Sequence, residues 1–307
     1  MKTTEVLKDL FFIERGYLNA NHFVYRSERP ILIDTGYIAD FEDTAMLIDS
    51  VGVNLQNTRL IVTTHCHCDH IGGNQSIQGM SGCDIVQHEL GRHFIDTRDD
   101  WATWWGYFSQ EAAFFKPTGS LQDGQALMIG PHRFEIIHTP GHAADGIALY
   151  NRDHKLLISS DALWEYDMAV QVVRIEGSAA LYNTKQSLQR LSELEVDTVC
   201  PGHGGIFSDF RGALERAQNR IDKFSEHPEL VGDDVLKKII VYTLLMKHQI
   251  DADAFFGLLL DTIWFKETVD YYFNGKYKAK YREILESLCN KGVVEIRHNS
   301  LFTTVRP

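Results

Sequence analysis

Short apolar runs rich in β-branched and aromatic residues, each closed by turn or polar residues, fill the first two hundred positions. FFIE (11–14), HFVYR (22–26) and PILID (30–34) read as strands, and 61–64 reads as a buried strand that runs straight into a group of histidines. HRFEIIH (132–138), GIALY (146–150), KLLISS (155–160) and VQVVRI (170–175) repeat the pattern, and TVC (198–200) adds one more strand. Between 180 and 196 the spacing changes: Leu181, Leu188, Leu191 and Leu194 fall on one helical face. Strands with helices interspersed predict a layered α/β architecture, not an all-helical or all-β one.

After 210 the texture is helical. Leu214, Ala217, Ile221 and Phe224 recur at three and four, and His227-Pro228 then breaks the run, because proline disfavours helix at the residue before it. The rest reads as several helices followed by VVEIR-HNS-LFTTV, two strands around a polar turn. Gly292 stands where a C-cap glycine belongs. The expected division is therefore residues 1–227 and a small, mainly helical, winged-helix-like module at 228–307. One local oddity is 93–115, which holds Trp101, Trp104, Trp105, Tyr107, Phe108, Phe114 and Phe115. These aromatics can bury against the body of the domain or wall an apolar substrate pocket.

Charge sharpens the division. Residues 211–307 carry 15 Lys+Arg against 14 Asp+Glu, so of the chain's net −12 the first 210 residues carry −13. A protein whose main task is to grip nucleic acid by its phosphates would show the opposite balance. No apolar run approaches the roughly 18 residues of a membrane span, and the opening MKTTEVLKDLFFIERG mixes acids with its apolar residues, unlike a secretory leader. The five cysteines (Cys66, Cys68, Cys83, Cys200, Cys289) are scattered and odd in number, as reduced thiols of a cytoplasmic protein would be.

The chemistry lies in the histidines. Thr64-His65-Cys66-His67-Cys68-Asp69-His70 sets three imidazoles and a carboxylate within six positions, with His65, His67 and Asp69 alternating to one side. Neutral imidazole and carboxylate are ligands for borderline divalent metals. Three more pieces follow strands: TPGH with His142, SSD with Asp161, and PGHGG with His203. Five histidines and two carboxylates suffice for two metals with one carboxylate bridging. Cys66 and Cys68 fall between the ligand positions and should face away as small buried thiols. His22, His88, His93 and His138 read as hydrogen-bonded structural histidines, and Lys276, Lys278, Lys280 and Arg282 as a solvated face.

The order of these motifs resembles the metallo-β-lactamase-fold superfamily over roughly residues 10–210. The pattern H-x-H-x-D-H is present as His65, His67, Asp69 and His70, followed by His142, Asp161 and His203. The resemblance implies an αβ/βα four-layer sandwich. One metal would be held by His65, His67 and His142, the second by Asp69, His70 and His203, with Asp161 between them. Asp34 in LIDTG would support the metal loop. Zinc is the first expectation, with iron, manganese or nickel as alternatives. Asp161 stands where some zinc β-lactamases have a cysteine, and Trp164 where acyl-homoserine-lactone lactonases have a tyrosine. SDALWEYD, CPGHGG and the Asp of GHAADG are similar to a quinolone-signal thioesterase branch and broadly to hydroxyacylglutathione hydrolases.

The implied function is a dinuclear metal-dependent hydrolase that cleaves a small acyl thioester or ester with a metal-bridging hydroxide, Asp69 both binding metal and orienting that hydroxide. The competing expectation is a nuclease or phosphodiesterase with 228–307 as a nucleic-acid platform, disfavoured by charge. The expected partner is a small acyl substrate without membrane or nucleic acid, and the C-terminal helices or the aromatic insertion could form a homodimer.

Overall fold

The computed structural model describes residues 2–307. A seven-stranded sheet runs in chain order: β1 (Lys2–Leu7), β2 (Leu10–Glu14), β3 (His22–Tyr25), β4 (Ile31–Ile33), β5 (Leu60–Val62), β6 (Asp84–His88) and β7 (Gly119–Leu121). Its first four strands pair antiparallel and β4 to β7 pair parallel. The second sheet has the order β12-β11-β10-β9-β8, from β8 (Ala126–Ile129), β9 (His132–His138), β10 (Ile147–Asn151), β11 (Leu156–Ser160) and β12 (Thr198–Pro201). Only β11 and β12 are parallel in it.

The two sheets face each other across an apolar layer in which Phe12, Phe23, Ile33 and Val62 meet Phe134, Ile136, Leu149 and Ile158. Their outer faces are covered by helices: Ile48, Ile77 and Ile95 pack on one side, and Leu188, Leu191 and Leu214 on the other. Strands buried on both faces read as continuous apolar runs, which is why ILI, LIV and LLISS show no alternation. The result is the expected four-layer α/β/β/α sandwich.

Beyond Glu226, where helix Phe210–Glu226 stops, four helices follow (Glu229–Lys247, Ala252–Leu260, Ile263–Phe273, Tyr277–Asn290). Pro228 opens the first of them, where a missing N–H costs nothing. A small sheet closes the chain in the order β13-β15-β14, with β13 (Ile250–Asp251), β14 (Val294–Arg297) and β15 (Ser300–Thr303). Gly292 takes the left-handed conformation (φ +68°) just past the last helix, as its C-cap position requires. One apolar core continues across the 227/228 division and joins the helical region to the sandwich. Among the described residues no helix is long and apolar enough to cross a membrane.

One sequence expectation fails outright. VQVVRI is not a strand: Val173–Glu176 is a single helical turn, and 170–172 is an irregular buried segment. Buried β-branched runs of this length cannot be assigned from periodicity alone, and here the carbonyl of Val170 is used by a histidine instead of a neighbouring strand. Strands β1, β6, β7 and β8 had no clear sequence signal of their own.

Candidate metal centre

Asp34, His65, His142, Asp161 and His203 all follow the carboxyl ends of strands β4, β5, β9, β11 and β12, so parallel ordering and sheet packing bring them to one rim. The chain leaves β5 at Val62 and runs irregularly to His67. A helical turn, Cys68–Ile71, then delivers Asp69 and His70. Those two therefore reach the centre by helical spacing and not by strand alternation. Ser160 (φ +47°) and Asp34 (φ +57°) both hold left-handed backbone beside the site, a cost paid at positions that aim acids inward. Gly202 lies so close to Asp161 that a Cβ there would overlap Asp161 Oδ1.

All seven predicted residues meet, and all are buried. Asp161 Oδ2 is the hub: His142 Nε2 lies 3.3 Å away, His70 Nε2 3.5 Å, His203 Nε2 3.9 Å and His65 Nε2 4.0 Å. His67 Nδ1 stands 3.0 Å from His142 Nε2, and Asp69 Oδ2 3.1 Å from His203 Nε2. Three triads have ligand atoms close enough to share an ion: His65/His67/His142, His65/His70/Asp161 and Asp69/His70/His203.

The outer ring nitrogens fix the tautomers. His70 Nδ1 donates to Asp34 Oδ2 at 2.8 Å, His142 Nδ1 to the Val170 carbonyl at 2.7 Å, and His203 Nδ1 to the Gly16 carbonyl at 3.1 Å. A carbonyl can only accept, so Nδ1 of His142 and of His203 carries a proton and Nε2 is the ring atom that each presents to the carboxylates of the cluster. The Nε2 atoms of His65, His67 and His70 are buried with no hydrogen-bond partner. Lone pairs gathered around one carboxylate repel unless cations lie among them, and orphaned buried acceptors are costly. The donor set therefore fits divalent metal, held by nitrogen and oxygen.

Without metal the electrostatics are frustrated. Burial pushes the pKa of His65 down, and the neighbouring His70 and His67 add to the effect. His67 is depressed the same way, by burial and then by His142. Burial would depress His70 too, but Asp69, Asp161 and Asp34 outweigh it and raise its pKa well above the ordinary value. Burial works against the charge of Asp161, but His70 and His203 hold its carboxyl well below the usual range. One cluster thus both repels and attracts protons, as a site shaped for a more concentrated positive charge does.

A narrow cleft opens onto the cluster between Trp104, Phe108, Trp164, Val170, Tyr17 and Tyr242. Trp104 lies over the His67 ring, centroids 3.9 Å apart, and its Nε1 donates to Glu176 Oε1 at 2.8 Å. Trp105 donates to the Cys66 carbonyl at 3.0 Å. The aromatic insertion thus does both things its sequence allowed: Trp104, Trp105, Tyr107 and Phe108 are all buried, and of these Trp104 and Phe108 also wall the cleft. Trp164 donates to Asp161 Oδ1 at 3.2 Å.

Cys66 and Cys68 are buried thiols, their pKa values pushed up by burial and then by Asp145 for Cys66 and Asp69 for Cys68. His88 stacks on His138 (4.0 Å) away from the centre, His22 lies inside the sheet, and His93 is exposed. Lys276, Lys278 and Arg282 are solvated, but Lys280 is buried against Asp233 and Glu283. Sequence reading missed Tyr242, on helix Glu229–Lys247, whose hydroxyl donates to Asp69 Oδ2 at 3.4 Å. It also missed Lys238 one turn earlier and the supporting acid Glu176. Tyr242 sits in the run VYTLLM, where nothing distinguishes it from core. Asp145 was legible in GHAADG; its carboxylate accepts the Cys66 N–H at 3.0 Å and pins the histidine loop.

Comparison with known proteins agrees with this fold. Residues 16–203 match the family model described as the metallo-beta-lactamase superfamily. The chain is 25% identical over 238 residues to the acyl-coenzyme A thioesterase MBLAC2 of Gallus gallus, covering 70% of this chain and 84% of that protein. It is 29% identical over 185 residues to a hydroxyacylglutathione hydrolase of Rhizobium etli, covering 59% of this chain and 62% of that protein. In fold it is similar to a metallo-beta-lactamase family protein of Thermus thermophilus, with a TM-score of 0.62 at 20% identity over 97% of this chain and 100% of the other.

Proposed function

The chain belongs to the metallo-β-lactamase superfamily, and from that premise we propose that it is a dinuclear metal-dependent hydrolase of a small acyl thioester, with other esters as secondary substrates. The observation that carries this reading is the convergence of four imidazole Nε2 atoms within 4.0 Å of Asp161 Oδ2, with outer nitrogens of three of these rings engaged elsewhere. His65, His67 and His142 would hold one ion and Asp69, His70 and His203 the other, with Asp161 between them. Two such ions supply Lewis-acid polarisation and a water acidic enough to attack near neutral pH.

The protein's own residues do the rest. Asp69, held by His203 and Tyr242, orients the attacking water and accepts its proton at the carboxylate. The water oxygen adds to the acyl carbon, the C–S bond breaks, and the proton held by Asp69 passes to the departing sulfur, giving thiol and a carboxylic acid that loses its remaining proton to solvent. Trp104, Phe108 and Val170 offer an apolar surface to the acyl group and keep bulk water out. Relatives named for acyl-coenzyme A thioesters and for hydroxyacylglutathione support the thioester over other linkages.

The test compares metal-replete, chelator-stripped and Asp69→Ala protein on acyl-coenzyme A and acyl-glutathione thioesters, a bis-aryl phosphodiester and a short RNA. Thioester turnover is expected from the replete protein alone, with two equivalents of metal bound per chain. RNA or phosphodiester cleavage with inert thioesters would overturn the substrate assignment, and one equivalent at full activity would overturn the dinuclear one.

A further inference from the structure

A second cavity of about 570 Å³ lies between helices Phe210–Glu226 and Glu229–Lys247, closed at one end by 166–168. Its carboxylates are already matched. Asp167 pairs with Arg220 at 2.7 Å, Asp234 with Lys238 at 2.9 Å, and Asp233 with Lys280. Four further cations line it: Arg216, Lys223, Lys237 and Lys291. Lys223 and Lys291 are exposed and have no ion-pair partner among the described residues. Arg216 Nη1 pairs with Asp209 at 3.0 Å and Lys237 with Asp233 at 3.9 Å, while Arg216 Nη2 is buried without a hydrogen-bond partner. In a chain of net −12, Lys223 and Lys291 make a local surplus of positive charge. Beside it the Tyr166 ring is 76% exposed, with the Arg216 guanidinium over its face at 5.2 Å. A flat ring backed by a guanidinium is a stacking platform for a base, and free amines suit phosphates.

This groove and the metal cleft share a wall. Trp164, Ala169 and Val170 line the cleft, whereas Tyr166, Asp167 and Met168 line the groove. Lys238 faces the cleft while its Nζ bonds Asp167 and the Met168 carbonyl on the groove side. A ligand with a base and phosphates at one end, an acyl thioester at the other and a slender neutral arm between would fit across that wall. Glutathione has carboxylates but neither base nor phosphate.

We propose that this groove binds the phosphorylated adenosine end of a coenzyme A thioester whose acyl end lies in the metal cleft, an inference that rests on the thioester reading above. The base stacks on Tyr166, and the 3′-phosphate monoester, carrying about −1.5 to −2 charge, and the diphosphate meet Lys223 and Lys291, with Lys237 and Arg216 beside them.

Two measurements test it. Calorimetric titration with 3′,5′-ADP should show saturable, salt-sensitive binding to the wild type, weakened about tenfold or more by the double charge reversal Lys223→Glu/Lys291→Glu. In parallel, the wild type should hydrolyse an acyl-coenzyme A at higher kcat/KM than the N-acetylcysteamine thioester of the same acyl group, and the double variant should lose that advantage through KM. Equal turnover of the two thioesters with no 3′,5′-ADP binding overturns the groove assignment and leaves the thioester reading standing. Turnover of neither thioester brings down both. Saturable binding of a short RNA without 3′,5′-ADP binding makes the groove a nucleic-acid surface and overturns the proposal.

Discussion

Asp34 accepts three hydrogen bonds at once, from Thr64 N (2.8 Å), Thr64 Oγ1 (2.7 Å) and His70 Nδ1 (2.8 Å). It therefore fixes both the start of the histidine loop and the tautomer of one candidate ligand. Asp34→Ala should lower metal affinity about 10–100-fold, read by competition with a chromophoric chelator; unchanged affinity would mean that His70 is oriented by something else. This acid was legible only through the resemblance, because LIDTG matches the segment where the superfamily carries an acid that supports the metal loop. His22 shows the complementary case. Burial, then the charge of Arg15, pushes its pKa down to about 3 from an ordinary 6.5. Between those values the unfolded chain takes up a proton that the folded chain refuses. The contribution is thus whole above pH 6.5 and is lost on acidification, by about 1.4 kcal/mol per pH unit. His22→Leu should flatten the fall in urea-unfolding stability between pH 6.5 and 4.5, and a parallel fall in both proteins would exonerate His22. Its neutrality could not be read from LNANHFVY, where nothing shows that both flanking strands bury the ring.

At the scale of elements, the insertion 93–115 is anchored as much as it is a wall. Trp104 holds left-handed backbone (φ +68°), stacks on His67 and bonds Glu176, a carboxyl whose pKa burial pushes up to about 8. Trp104→Ala should cost about 3–5 kcal/mol in denaturant unfolding. It should also widen the cleft, raising kcat/KM for the bulkiest acyl groups relative to the smallest; a variant as stable as wild type would show that the ring is not packed as described. The aromatic density of this segment was visible in sequence, but which rings turn inward was not: Trp101, Trp104, Trp105 and Phe108 fall at helical spacing, yet the helix is a single turn, Trp105–Phe108, preceded by a left-handed Trp104. Helix Glu229–Lys247 shows the same limit. It is apolar on most sides because sandwich and C-terminal helices enclose it, so the one face that carries Lys238 and Tyr242 into the cleft leaves no periodic trace.

For the whole molecule the decisive feature is continuity of the core. Phe108 of the insertion packs near Trp264 (6.1 Å), and Tyr17 against Tyr242 (5.1 Å), so the C-terminal helices complete the catalytic face. The 307-residue chain should therefore unfold in one cooperative transition, and a chain ended after residue 227 should be poorly soluble, with its metal cleft open and its inner helix faces bare. Two resolved calorimetric transitions, or a stable, monomeric 1–227 fragment, would instead support two independent domains.

The sequence by itself determined the layers and the candidate ligands, because both depend on local rules. β-branched runs become buried strands, and imidazoles and carboxylates placed after strand ends have no cheaper buried fate than a shared cation. Only the tertiary structure decided what surrounds them. That a carbonyl from 170 orients His142, that a residue 173 positions downstream, Tyr242, bonds Asp69, and that the groove's acids are neutralised while Lys223 and Lys291 stay unpaired among the described residues are all matters of long-range packing. They depend on which faces meet, and residue order along the chain carries no record of that until the sheets have closed.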